Sequence, residues 1–178
     1  AAAGAFSGRL KESIVLPRMG LVIDDGYVQF DGDVAVSELV TNPVWEASVR
    51  VPETGLTSEV AGGRFEARAG ARASLRYGGE MLSVGGEAWL CDLSLRRDME
   101  DGLSLEAGLG DVRAKLQVPP FELSAVSNMW VESVVSWSGG HFKTSGAQMA
   151  LEDLEGEVNF GWSMIGGLSF DAGQRLLW

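Results

Sequence analysis

The sequence has one cysteine and one histidine. A lone cysteine excludes a disulfide framework and a multi-cysteine zinc site. A lone histidine excludes His-rich metal sites and leaves histidine-based catalysis a single candidate, His141. Proline is scarce, five residues in 178, so the chain is no proline-rich linker. Lys and Arg number 14 against 25 Asp and Glu, a formal net charge of −11. That shortage of cations argues against nucleic acid as a partner, because phosphate-backbone binding runs on Lys and Arg. No apolar run approaches the ~18 residues of a membrane helix. The start, Ala1-Ala2-Ala3-Gly4-Ala5, has no Met and none of the charged and apolar regions of a signal peptide. It reads as a processed end or a cut inside a longer chain, and Leu176-Leu177-Trp178 reads as a strand interrupted or ended.

What is abundant is glycine, 24 residues, about twice the usual share of about 7%. An apolar fraction of 46% with 22% charge is that of a folded chain. The dominant pattern has period two. From Arg64 to Tyr77 one face carries Phe65, Ala67, Ala69, Ala71, Ala73, Leu75 and Tyr77, and the other Arg64, Glu66, Arg68, Arg72, Ser74 and Arg76. A helix would scatter those arginines, whereas a strand gathers them on one side. Val28, Phe30, Val34 and Val36 alternate in the same way, as do Trp45 to Val51, Val158, Phe160, Trp162 and Met164, and Leu168 to Trp178. Two runs change parity midway, so β-bulges are expected near Gly85-Gly86 and Gly108–Gly110. Helix is expected only as a short stretch at Ser37–Val40 or Ser124–Met129.

Turn signals separate the runs: Asp24-Asp25-Gly26, Asn42-Pro43, Pro52-Glu53-Thr54-Gly55, Tyr77-Gly78-Gly79, Asp101-Gly102, Pro119-Pro120, Ser138-Gly139-Gly140 and Gly166-Gly167. About ten strands result, in one all-β domain spanning 1–178: a long antiparallel meander curled into an open barrel or groove. A closed β-barrel and a β-sandwich are the alternatives. Three strands share the pattern h-x-h-x-G-x-h-x-h, centred on Gly32, Gly86 and Gly146. A mid-strand glycine marks a bend or a close approach to the backbone.

Catalytic signals are weak. His141 has no Gly-x-Ser-x-Gly elbow and reads as a surface residue beside a turn. Cys91 reads as a small buried hydrophobe beside Trp89 and Leu93. Asp31 and Asp33 lack the spacing of a calcium loop. Paired carboxylates and six tryptophans would suit a glycosidase, but the loops are too short to build its cleft. No enzyme activity, cofactor or metal site is expected. Trp45, Trp89 and Trp162 read as core; Trp130 and Trp137 have opposite parity, so one is expected at the surface.

The run Leu151-Glu152-Asp153-Leu154-Glu155-Gly156-Glu157-Val158-Asn159-Phe160 resembles the L-x-x-L-x-G-x-V-x-F signature of AsmA-like proteins, which include the YdbH and TamB lineages. Ala73 to Leu90 is similar to their paired strands joined by a short Gly turn. The resemblance implies a segment of a longer periplasmic, cell-envelope protein, anchored to the inner membrane through another part of the chain. Such a protein binds phospholipid acyl chains along a hydrophobic β-groove and conducts them between the inner and outer membranes. Its partners would be neighbouring segments of the chain and inner- and outer-membrane proteins. The expected groove lining is Val28, Phe30, Val34, Val36, Phe65, Ala67, Ala69, Ala71, Ala73, Leu75, Tyr77, Val158, Phe160 and Trp162. The Ala row leaves room that a filled core would give to larger side chains. A small outer-membrane barrel and a sandwich adhesion module are the competing readings; a lipocalin-like carrier lacks its Gly-x-Trp.

Overall fold

The computed structural model describes residues 1–11, 20–38, 41–60, 63–99, 102–145, 149–163 and 167–171. The strands are β1 (Ala2–Lys11), β2 (Leu21–Ile23), β3 (Tyr27–Ser37), β4 (Val44–Val60), β5 (Gly63–Gly78), β6 (Met81–Asp98), β7 (Ser104–Glu122), β8 (Trp130–Thr144), β9 (Met149–Ser163) and β10 (Gly167–Asp171). They form one antiparallel sheet in the order β1-β3-β4-β5-β6-β7-β8-β9-β10, with β2 also paired to β4. From β3 onward each strand pairs with the next in the chain. The one helical piece among the described residues is a 3-10 turn, Leu123–Asn128, which overlaps the expected stretch Ser124–Met129 but starts and ends one residue earlier. The other candidate, Ser37–Val40, reaches outside the described residues.

Among the described residues the sheet is open, with β1 and β10 as its edges, and no second sheet covers either face. The architecture is therefore neither a closed barrel nor a sandwich. Among the described residues only Ile23, Val36, Ala67 and Val118 are buried apolar side chains, a count far below that of a two-layer core. The accessible surface of 11899 Å² compares with about 8,400 Å² for a compact monomer of this mass.

Several expected turns are strand instead. Pro52 to Gly55 lies inside β4, where Val51 and Thr54 pair with Ala71 and Ala69 and leave an extra residue on β4. At this level β4 exchanges its partner β3 for β2, with Leu56 opposite Ile23. Ser138-Gly139-Gly140 lies inside β8, with Gly139 at φ 64. Pro119-Pro120 lies inside β7, past the last pair with β8 (Gln117 opposite Glu132), so the missing N–H groups cost no bond on that side. The turn at Gly79-Glu80 is as expected, with both φ positive, the twist a tight hairpin needs.

The parity break in β6 sits elsewhere than at Gly85-Gly86. Arg68 and Glu66 of β5 pair with Cys91 and Ser94, so the extra residue lies between them, at Asp92 with φ 52. Strand β7 makes its matching step at Gly110, because Leu109 pairs with Leu93 and Val112 with Leu90. Strand β8 steps at Gly139 and β9 at Asp153, φ 58. These irregularities, with Pro52-Glu53 of β4, lie side by side in a line across the sheet. Each keeps its strand's apolar residues on one face after the break.

Candidate functional site

The cross-strand register sorts every described pair onto one face or the other. Val49 faces Gly32 on β3 and Ala73 on β5; Ala73 faces Gly86, Gly86 faces Leu116, Leu116 faces Ser133, and Ser133 faces Phe160. The row above runs Val51, Ala71, Ala88, Ala114, Val135 and Val158. All fourteen residues expected to line a groove fall on this one face. Trp45, Tyr77, Leu82 and Phe121 form one end row. Of the fourteen exposed large hydrophobics among the described residues, nine share the face: Phe6, Leu10, Val34, Trp45, Val49, Leu75, Leu116, Leu151 and Trp162. Trp45 is 47% exposed and Trp162 37%, so both lie on an accessible wall rather than in the core expected of them. A depression of about 750 Å³ opens in the middle of β4–β7, where Val49, Ala73, Gly86 and Leu116 meet. The wall is one strand thick, and more than half of the lining belongs to the opposite face, with Ser48, Arg50, Arg72, Ser74, Glu87 and Lys115 among it.

That opposite face is a charge ladder. Arg68 pairs with Glu53 and Asp92, Arg76 with Glu46, Arg113 with Asp111, and Lys143 with Glu152. Glu87 is 8% exposed and takes Arg72 at 2.5 Å and Arg113 at 3.4 Å. Burial pushes the Glu87 carboxyl up, but the Arg72 hydrogen bond and charge, with Lys115 and Arg113, outweigh it and hold it below the usual range. A depressed folded value contributes stability above the unfolded pKa, and that stability is lost as pH falls through the folded value. Glu87→Gln should therefore flatten the loss of stability between neutral pH and about pH 3, read as urea midpoints of the two proteins. Equal pH dependence in both would show that the cluster is not coupled to folding.

Trp89 and Cys91 belong to this polar face, because the break comes after them. The Trp89 indole lies over Gly70, where a Cβ would come within 2.6 Å of the ring, and its Nε1–H donates to Glu53 at 3.3 Å. Cys91 is half-buried beside Asp111; burial and the Asp111 charge raise its thiol, so it is a poor nucleophile. His141 lies over Gly108 and 3.7 Å from Glu106, with no nucleophile in contact among the described residues. Among those residues no cluster of His, Cys, Asp and Glu is placed to hold a metal, and no helix is long and apolar enough to cross a membrane. Trp130 is 38% exposed on the polar face, while Trp137 covers Gly156 on the apolar one. Gly146 and Trp178 lie outside the described residues.

No family model, no curated protein and no solved structure matches the chain.

Proposed function

We propose that this chain is a segment of a periplasmic bridge-like protein whose open apolar face carries the acyl chains of phospholipids between membranes. The observation that supports this reading most is the sorting of side chains. One face of an open sheet is apolar and accessible along its length, while the other spends its charges on cross-strand pairs. A monomer in water rarely leaves so extended an apolar surface uncovered. From Leu82 to Arg97, β6 spans about 50 Å at ~3.3 Å per residue. A leaflet is about 15 Å deep, half the ~30 Å hydrocarbon core, so the face is long enough for chains in file. The resemblance of Leu151 to Phe160 to AsmA-like proteins points the same way, as do the small residues Ala71, Ala73 and Gly86 at mid-sheet. No step of the proposed role calls for a catalytic group; the wall offers area, and binding follows from the apolar surface removed from water. Native mass spectrometry of the protein purified without detergent tests the reading. Adducts with the masses of phospholipids are expected, and bare protein from a phospholipid-rich envelope fraction would overturn it.

A further inference from the structure

We infer that Arg97 is the headgroup anchor of this apolar face, taking the phosphodiester of a phospholipid whose acyl chains lie along the wall; the assignment rests on the phospholipid reading above. Arg97 pairs with Gly63 on β5 and Leu105 on β7, in the register that puts Phe65, Leu93 and Leu95 on the apolar face. Counted along the described side chains of β1–β9, that face carries no Asp, Glu or Lys, and Arg97 is its single charged residue. Every other arginine of β5–β7 lies on the polar face and has a carboxylate partner there: Arg64 with Glu66, Arg68 with Asp92, Arg72 with Glu87, Arg76 with Glu46, Arg96 with Asp98 and Arg113 with Asp111. Arg97 is exposed and, among the described residues, has no ion-pair partner. Its neighbour Gly63 sets no side chain against it.

Position gives this residue its chemistry. Arg97 stands at one end of the apolar wall, and the row Trp45, Tyr77, Leu82, Phe121 stands at the other. A phospholipid is built in the same way, with a charged phosphate at one end of two apolar chains. With chains along β6 toward Leu90 and Ala88, the phosphate reaches the rim where the guanidinium meets water. A guanidinium binds phosphate through two parallel N–H donors, which Lys cannot reproduce. An unpaired cation at this rim loses no carboxylate when it takes the phosphate.

Titration calorimetry of the full chain tests the assignment with dioctanoyl phosphatidylglycerol, dioctanoylglycerol and inorganic phosphate. Arg97→Gln should weaken the phosphatidylglycerol about tenfold or more and leave dioctanoylglycerol unchanged. Arg97→Lys should recover part of the loss, and Arg96→Gln, on the polar face, should change nothing. If the wild type binds both lipids and Arg97→Gln weakens neither, or both equally, the anchor is wrong while the apolar-face reading stands. If inorganic phosphate binds as tightly as phosphatidylglycerol, the site is for a free anion and the lipid assignment falls. If the wild type binds neither lipid, both readings fall together.

Discussion

Ala73→Arg should give a folded protein that no longer retains phospholipid. Ala73 is exposed, faces Val49 on one side and Gly86 on the other, and lies at the mid-sheet depression. A guanidinium there reaches water over Gly86, so it does not become the buried, unpaired charge that costs about 3–5 kcal/mol. It does place a hydrated cation across the path an acyl chain would follow. The expected result is a circular dichroism spectrum and urea midpoint close to wild type with loss of co-purified lipid. Ala71→Arg, one row away among Val51 and Ala88, should act alike. An insoluble or molten variant would mean that another layer covers this face, and a folded variant with lipid still bound would put the path elsewhere.

Two glycines that look equivalent in the sequence should respond in opposite ways to alanine. A Cβ at Gly32 would come 2.3 Å from the Ser48 carbonyl oxygen and 2.5 Å from the Phe6 ring. The ring can swing away, but the backbone oxygen of β4 cannot. Gly32→Ala should cost about 1–3 kcal/mol, as forced overpacking does. A Cβ at Gly86 would meet nothing closer than 3.5 Å, the Arg72 carbonyl oxygen. Gly86→Ala should be neutral or gain about 0.5–1 kcal/mol by restricting the unfolded chain. Urea midpoints decide it, and equal shifts in the two variants would refute the account. Within the shared h-x-h-x-G-x-h-x-h pattern, Gly32 is the close approach and Gly86 is only a small residue.

Alternation made the faces legible because a strand's side chains obey period two whatever lies around them. The Ala row of β5 reads correctly from end to end, since β5 alone among β4–β9 has no inserted residue at the line of bulges. The misreadings cluster at that line. Glycine pairs draw the eye to Gly85-Gly86, but Asp92 makes the break, and an aspartate in the left-handed region looks in sequence like any polar strand residue. The displaced break put Trp89 and Cys91 on the wrong face. Pro52 to Gly55 and Ser138 to Gly140 carry turn residues for the same reason that they make bulges: both need unusual backbone angles or a missing donor. Arg97 continues the parity of Leu93 and Leu95, but arginine at a strand end reads as ordinary solvation. Its meaning depends on the absence of other charge on eight neighbouring strands, and that appears only when the register aligns them.

The order of the strands has a consequence for how such a wall can be made. From β4 to β10 every strand finds a partner in the strand just before it, across a connection of a few residues, so no pairing waits for a distant part of the chain. Only β1 and β2 skip a neighbour, and their partners β3 and β4 follow soon after. A chain delivered from one end, as one threaded through a membrane is, can add strands in the order of arrival, each step closing a small loop. The growing edge then always belongs to the newest strand, and the apolar face lengthens row by row without ever being assembled from separate pieces.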